Sequence, residues 1–167
     1  MTLRTTQAKD ALQAVRKEFP ELTLGVGSIL SHEQLEWAAK EGMKFGVSPA
    51  WDDDLWDKSV ALRIPFFPGV LTPTELGRAI NAGCLCPKIF PIEPAGGAAY
   101  LKSLLAPYLG TGLTCLPTGG IGKEKVSQYL EIPQVSAVGG SWITPQPLIS
   151  AKNLEGMTKL AKSSLLL

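Results

Sequence analysis

Three cysteines, one histidine and a charge balance that nearly cancels leave several functional classes with little to work on. Cys84, Cys86 and Cys115 are odd in number and lack CxxC spacing. That fits neither a disulfide framework nor a zinc site, and it points to a reducing, cytoplasmic compartment with all three as buried small hydrophobes. His32 has no partner histidine and reads as a surface residue. Lys and Arg number 16 against 15 Asp and Glu, a net charge of +1, so the basic excess of a nucleic-acid binder is missing and no nucleic-acid partner is expected. A local phosphate site stays open, because backbone amides bind anions without formal charge. No run approaches the roughly 18 apolar residues of a membrane span, so no membrane partner is expected. The opening residues, Met1 through Thr6, carry no apolar core of a secretory signal.

What is present is an ordinary globular composition, 45% hydrophobic over 167 residues, which predicts a single domain over 1–167 with a core of its own. Short apolar runs at 22–26, 44–47, 64–70, 85–90, 113–116 and 135–138 alternate with helical patterns at about 7–18, 31–41, 52–61, 73–82, 97–107, 122–130 and 153–164. Ser31-His32-Glu33-Gln34 and Thr72-Pro73-Thr74-Glu75 both fit the capping box, with Pro73 at the first helical position. Asp52, Asp53 and Asp54 read as a helix start, since three adjacent carboxylates cannot converge on one ion from a helix. The leucines at 165, 166 and 167 are suited to packing on a neighbouring helix or subunit.

Strand–helix alternation means parallel strands joined by crossover helices, hence an α/β fold. Gly25-Val26-Gly27-Ser28 lacks the third glycine of a dinucleotide loop, which argues against an open doubly wound sheet. The glycine-rich turns sit late, at Gly119-Gly120 and Gly139-Gly140, where (β/α)8 TIM barrels place phosphate sites. The expectation is therefore a (β/α)8 barrel. Six strands and a stub at 2–5 fall short of eight, so the barrel is expected to be N-terminally truncated in this sequence.

Two features carry chemistry. Lys88 lies in the apolar run Leu85-Cys86-Pro87-Lys88-Ile89-Phe90, near its C-terminal end. Apolar surroundings penalise the ammonium and free the amine for Schiff-base formation; a lysine that snorkels to water or pairs with a carboxylate is the competing reading. The turns Pro117-Thr118-Gly119-Gly120-Ile121 and Val138-Gly139-Gly140-Ser141-Trp142 each follow an apolar run. Paired glycines let amides approach an anion, and Thr118 and Ser141 add hydroxyls; plain strand-to-helix turns are the alternative.

In order and spacing, Thr2-Leu3-Arg4-Thr5, Gly25-Val26-Gly27-Ser28, Val47-Ser48-Pro49, the Pro65 to Val70 segment, Lys88-Ile89-Phe90-Pro91, Pro117-Thr118-Gly119-Gly120-Ile121 and Val138-Gly139-Gly140-Ser141-Trp142 resemble the 2-keto-3-deoxy-6-phosphogluconate (KDPG) and 2-keto-4-hydroxyglutarate (KHG) aldolase family. The resemblance implies a homotrimeric barrel and a class I mechanism with no metal and no cofactor, acting on a 2-keto acid. It implies Lys88 as the Schiff-base residue, Arg4 and Ser28 as the carboxylate holders (Ser28 where the family commonly has threonine), and Pro49 and Phe90 as pocket lining. Thr118, Gly119, Gly120, Gly139, Gly140 and Ser141 would bind the phosphate. The products would be pyruvate and glyceraldehyde 3-phosphate from KDPG, or pyruvate and glyoxylate from KHG.

The sequence departs from the family at Ala50, where glycine is frequent, and at Ile92, where alanine is usual. The family's general acid/base glutamate lies four residues before its Thr-Leu-Arg-Thr arginine, a position ahead of Met1. The first strand and most of the second are expected to be absent with it. Glu93 reads as a solvent-exposed or helix-capping residue rather than a substitute base. The alternative to an active aldolase is a truncated, weakly active or inactive barrel that binds a keto-acid or phosphorylated ligand, or that completes its fold with a partner chain.

Overall fold

The computed structural model describes residues 1–164; the leucine tail lies outside the described residues. The chain divides into two compact units, Met1–Lys88 and Ile89–Leu167.

In the first unit three short strands, β1 (Gly25–Gly27), β2 (Phe45–Val47) and β3 (Phe66–Phe67), pair in parallel in the order β1-β2-β3. Gly25 lies opposite Phe45 and Gly46 opposite Phe66. The stub at 2–5 is a single parallel bridge, Thr2 to Gly27, held by Leu3 N–H to Gly27 O (2.9 Å) and Gly27 N–H to Met1 O (2.7 Å). The run at 64–70 is broken in two, β3 and β4 (Gly69–Val70), with Pro68 between them; a proline brings no N–H to a ladder.

Four helices alternate with these strands: α1 (Ala8–Glu18), α2 (His32–Lys40), α3 (Asp53–Ala61) and α4 (Pro73–Asn81). Their apolar stripes and the strands enclose a core of Leu12, Val26, Ile29, Leu35, Met43, Leu55 and Phe66. The helix starts explain the boundaries. Asp52 Oδ1 accepts from Leu55 N–H (2.8 Å), so this carboxylate caps α3. Asp53 takes Trp51 Nε1–H (2.7 Å) and Arg78. Ser31 caps α2 through Gln34 N–H, but the Gln34 carboxamide turns to Leu30 N–H (2.7 Å), so the box is not reciprocal. At α4 it is complete: Thr72 Oγ1 accepts from Glu75 N–H (3.3 Å), and Glu75 accepts from Thr72 N–H (2.8 Å). Thr72→Ala, which strips this cap, is expected to cost about 1 kcal/mol in urea unfolding.

In the second unit α5 (Gly97–Leu105) runs into a 3-10 turn at Ala106–Tyr108. A 3-10 turn, Lys123–Lys125, precedes α6 (Val126–Leu130); α7 (Gln146–Ser150) and α8 (Leu154–Ser164) close the described chain. Two two-residue strands occur: β5 (Lys88–Ile89), at whose middle the division between units falls, and β6 (Leu116–Pro117). The run at 135–138 carries one isolated parallel bridge, Cys115 to Val135, and a second, Thr118 to Gly139, follows just beyond it. Pro117 sits between those bridges and has no N–H to donate, which leaves the ladder without its middle rung. The five-residue α7 escaped the sequence reading because Pro145 and Pro147 mark that stretch as loop.

Among the described residues no cysteine is in a disulfide; Cys84 and Cys115 are buried, whereas Cys86 is only half-buried. Burial pushes the Cys84 thiol up to about 11. Among the described residues no helix is long and apolar enough to cross a membrane.

Candidate active site

The keto-acid groups come together in the first unit. Parallel pairing of Thr2 with Gly27 sends both segments out at the same end, which puts Arg4 beside Ser28. Arg4 Nε donates to Ser28 Oγ at 3.1 Å. Ser28 has a positive φ of 61°, and its hydroxyl is turned to this arginine as the chain leaves β1. Arg4 is exposed and Ser28 half-buried, an arrangement in which a guanidinium and a hydroxyl can both take a carboxylate.

Lys88 is anchored by its backbone N–H to Pro68 O (2.9 Å) and is half-buried. Its ammonium is held below the ordinary lysine range, first by burial and then by the positive charge of Arg4. Both causes raise the share of neutral amine, the form that attacks a carbonyl.

Pro49 follows β2 and is half-buried. Ser48 fixes its loop: Ser48 N–H donates to Phe67 O (3.3 Å) and Ser48 Oγ to Ala50 O (2.7 Å). Gly69 keeps the loop close, because a Cβ there would fall 2.1 Å from Pro49 O. Pro49 lines a cavity of about 100 Å³ with Ile29, Leu30, Ser48 and Trp51 among its walls.

The phosphate candidates lie in the second unit. Thr118 N–H donates to Ile89 O (2.9 Å), and the Thr118 to Gly139 bridge brings the two glycine turns side by side. The Oγ1 of Thr118 is buried and is a side-chain oxygen without a hydrogen-bond partner. A hydroxyl in that state is poised for an acceptor or donor brought by a ligand. Gly119 and Gly120 both take positive φ, 99° and 84°. A Cβ on Gly119 would lie 2.8 Å from Pro91 Cα and 2.9 Å from the Phe90 ring, so Phe90 packs on this turn, just ahead of the cis Phe90–Pro91 bond.

Gly139 spends its N–H on Pro117 O (3.0 Å), and a Cβ there would meet Thr118 Cγ2 at 2.2 Å. It secures close approach between the turns. Gly140 and Ser141 are exposed, with the Trp142 ring against Gly140 and Trp142 Nε1–H donating to Ser164 Oγ (3.1 Å).

Glu93 is neither exposed nor a cap. Gly96 precedes α5 without a side-chain cap, and the Glu93 side chain is 16% exposed, taking Lys125 Nζ and the Tyr129 hydroxyl. These partners hold its carboxyl below the usual range, while burial and Glu93 drive the Tyr129 phenol well above its own. Tyr129 and Lys125 were missed from the sequence. Their only signal was a carboxylate five residues after Lys88 that needed a partner.

A lysine depressed by burial and by a nearby arginine, with that arginine on a serine hydroxyl, equips this α/β protein for imine chemistry. A family model described as KDPG and KHG aldolase matches residues 1–160. The 2-dehydro-3-deoxy-phosphogluconate aldolase of Treponema pallidum (strain Nichols) is 35% identical over 165 residues, covering 99% of this chain and 78% of its own length. The KHG/KDPG aldolase of Escherichia coli (strain K12) is 34% identical, over 98% of this chain and 76% of its own. The solved KDPG aldolase of Legionella pneumophila, with pyruvate captured at low pH as a covalent carbinolamine intermediate, superposes with a TM-score of 0.91 at 32% identity, covering 98% of this chain and 78% of that one. The chain belongs to the KDPG and KHG aldolase family.

Proposed function

We propose that this chain is a class I aldolase that cleaves KDPG to pyruvate and glyceraldehyde 3-phosphate, and KHG to pyruvate and glyoxylate, through an imine on Lys88. The observation that carries the reading is the half-buried Lys88 amine, depressed by burial and by Arg4, whose guanidinium also holds the Ser28 hydroxyl.

The neutral Lys88 amine adds to the C2 ketone, and the carbinolamine loses water to give a protonated imine. Arg4 and Ser28 hold the adjacent carboxylate. The C4 hydroxyl then passes its proton to water, the C3–C4 pair becomes the C2–C3 double bond of an enamine as the imine π pair moves to nitrogen, and the aldehyde departs. Protonation of the enamine at C3 and hydrolysis free pyruvate and return the lysine. The imine is itself the electron sink, so the reaction calls for neither a metal nor an organic cofactor.

We read Pro49 and Phe90 as apolar lining. Thr118, Gly119, Gly120, Gly140 and Ser141 supply hydroxyls and amides for the phosphate, and Gly139 sets the spacing of the two turns. We further read the strand–helix repeats as those of a (β/α)8 barrel, supported by the superposition on the Legionella enzyme, and the working form as a cytoplasmic homotrimer, whose cysteines outside any disulfide suit a reducing compartment.

The test is pyruvate release, followed through NADH consumption by lactate dehydrogenase. Folded protein is expected to release pyruvate from both substrates. Release from neither would refute the reading.

A further inference from the structure

The two amides best placed to bind the phosphate owe their direction to a segment outside both glycine turns. Ile92 N–H donates to Thr118 O (2.9 Å), and Glu93 N–H donates to Gly119 O (3.1 Å). In a planar trans peptide the carbonyl and the following N–H point opposite ways. Tying the Thr118 and Gly119 carbonyls to residues 92 and 93 therefore turns the amides of Gly119 and Gly120 away from that segment. Those are the N–H groups a phosphate would take.

The segment is in turn held from outside. The Glu93 carboxylate takes the hydroxyl of Tyr129, which is fully buried on α6, and the ammonium of Lys125 in the turn before it. Gly120 lies against the same residue: a Cβ built there would sit 2.9 Å from Glu93 Cβ and 3.4 Å from its Cγ. A Cβ built on Gly97 would lie 3.4 Å from the Glu93 carboxylate and 3.5 Å from the Tyr129 hydroxyl, so α5 closes on the pair as well.

We infer that Glu93, clamped by Tyr129 and Lys125, is a positioning residue that aims the Gly119 and Gly120 amides at the phosphate of the substrate. This rests on the phosphate role proposed above and adds residues that do not touch the ligand. The Thr118 hydroxyl, buried without a hydrogen-bond partner, belongs to the same turn. The clamp is worth building because a glycine turn is otherwise free to sample many conformations, and ordering it on binding would cost affinity.

The experiment is a titration of ¹⁵N-labelled protein with inorganic phosphate, read at the Gly119 and Gly120 amides, beside the rate at which borohydride traps pyruvate on Lys88. Wild-type protein is expected to show saturable shifts at both glycines. Glu93→Gln keeps the side chain's size and an acceptor for Tyr129 but loses the charge facing Lys125; it and Tyr129→Phe should each weaken phosphate by about 5- to 10-fold, the net worth of one ordinary hydrogen bond, since neither residue touches the anion. The fall in phosphate affinity should exceed any fall in trapping rate by at least about fivefold, which general loosening of the fold would not produce. Unchanged phosphate affinity in a folded Glu93→Gln, or equal losses in both readouts, would overturn the positioning role while leaving the phosphate site standing. Absence of any shift at Gly119 and Gly120 in wild-type protein would overturn the phosphate site and the positioning role together. Neither result bears on the Schiff base, which the trapping reaction reports separately.

Discussion

Borohydride reduction in the presence of pyruvate is expected to fix one reduced pyruvate on Lys88, found by intact mass and located by peptide mapping. Lys88→Met should yield no adduct and lower pyruvate release by roughly 10³-fold or more, the scale on which removal of a covalent nucleophile acts. The trapping rate should rise with pH and level off below the range of an ordinary lysine, because burial and Arg4 both depress the ammonium of Lys88. Arg4→Met provides the sign. Removing the positive charge raises the Lys88 pKa toward its ordinary value, so the trapping curve moves to higher pH and less amine is neutral at pH 7. The same change removes a charged hydrogen-bond donor to the carboxylate and should weaken pyruvate by about 10- to 100-fold. An adduct on another lysine, or a trapping curve in Arg4→Met that moves to lower pH, would contradict the assignment.

Thr118→Val should change stability and ligand affinity in opposite directions. The Thr118 hydroxyl is buried without a partner, and an unsatisfied buried polar group costs about 1–3 kcal/mol. Valine is nearly isosteric and suits a residue in a parallel bridge, so the variant should unfold at the same or higher urea concentration, gaining up to about 1 kcal/mol. Phosphate affinity should fall about tenfold, since the hydroxyl finds its partner only when the anion is present. A variant that loses stability and keeps its phosphate affinity would show that the hydroxyl serves the fold and not the ligand.

The position of most elements was legible in short stretches of sequence. Thr72, Pro73 and Glu75 announce the start of α4, and Asp52 that of α3, because a cap is a contact between residues three apart. Pro68 and Pro117 were equally visible, yet the break between β3 and β4 and the missing strand at 135–138 were not read from them. A missing N–H matters only if the neighbouring strand needs that donor, and register decides that. The complete box expected at Ser31 failed for a comparable reason, since Gln34 had the choice of two amides one residue apart.

At the candidate site the division is similar. The sequence by itself determined the cast: a lysine in an apolar run, an arginine after a short N-terminal segment, and two glycine turns late in the chain; the run was expected to end in a strand at Lys88, whereas Lys88 begins the two-residue β5. It also determined family membership, because motif order survives without any coordinates. Only the tertiary structure decided what those groups become. Lys88 is depressed partly by Arg4, from the opposite end of its unit, and Coulomb interactions follow distance in space and not along the chain. Glu93 passed for a surface carboxylate until the fold brought α6 over it with Tyr129 and Lys125, and local periodicity holds no record of which helix will cover a given loop.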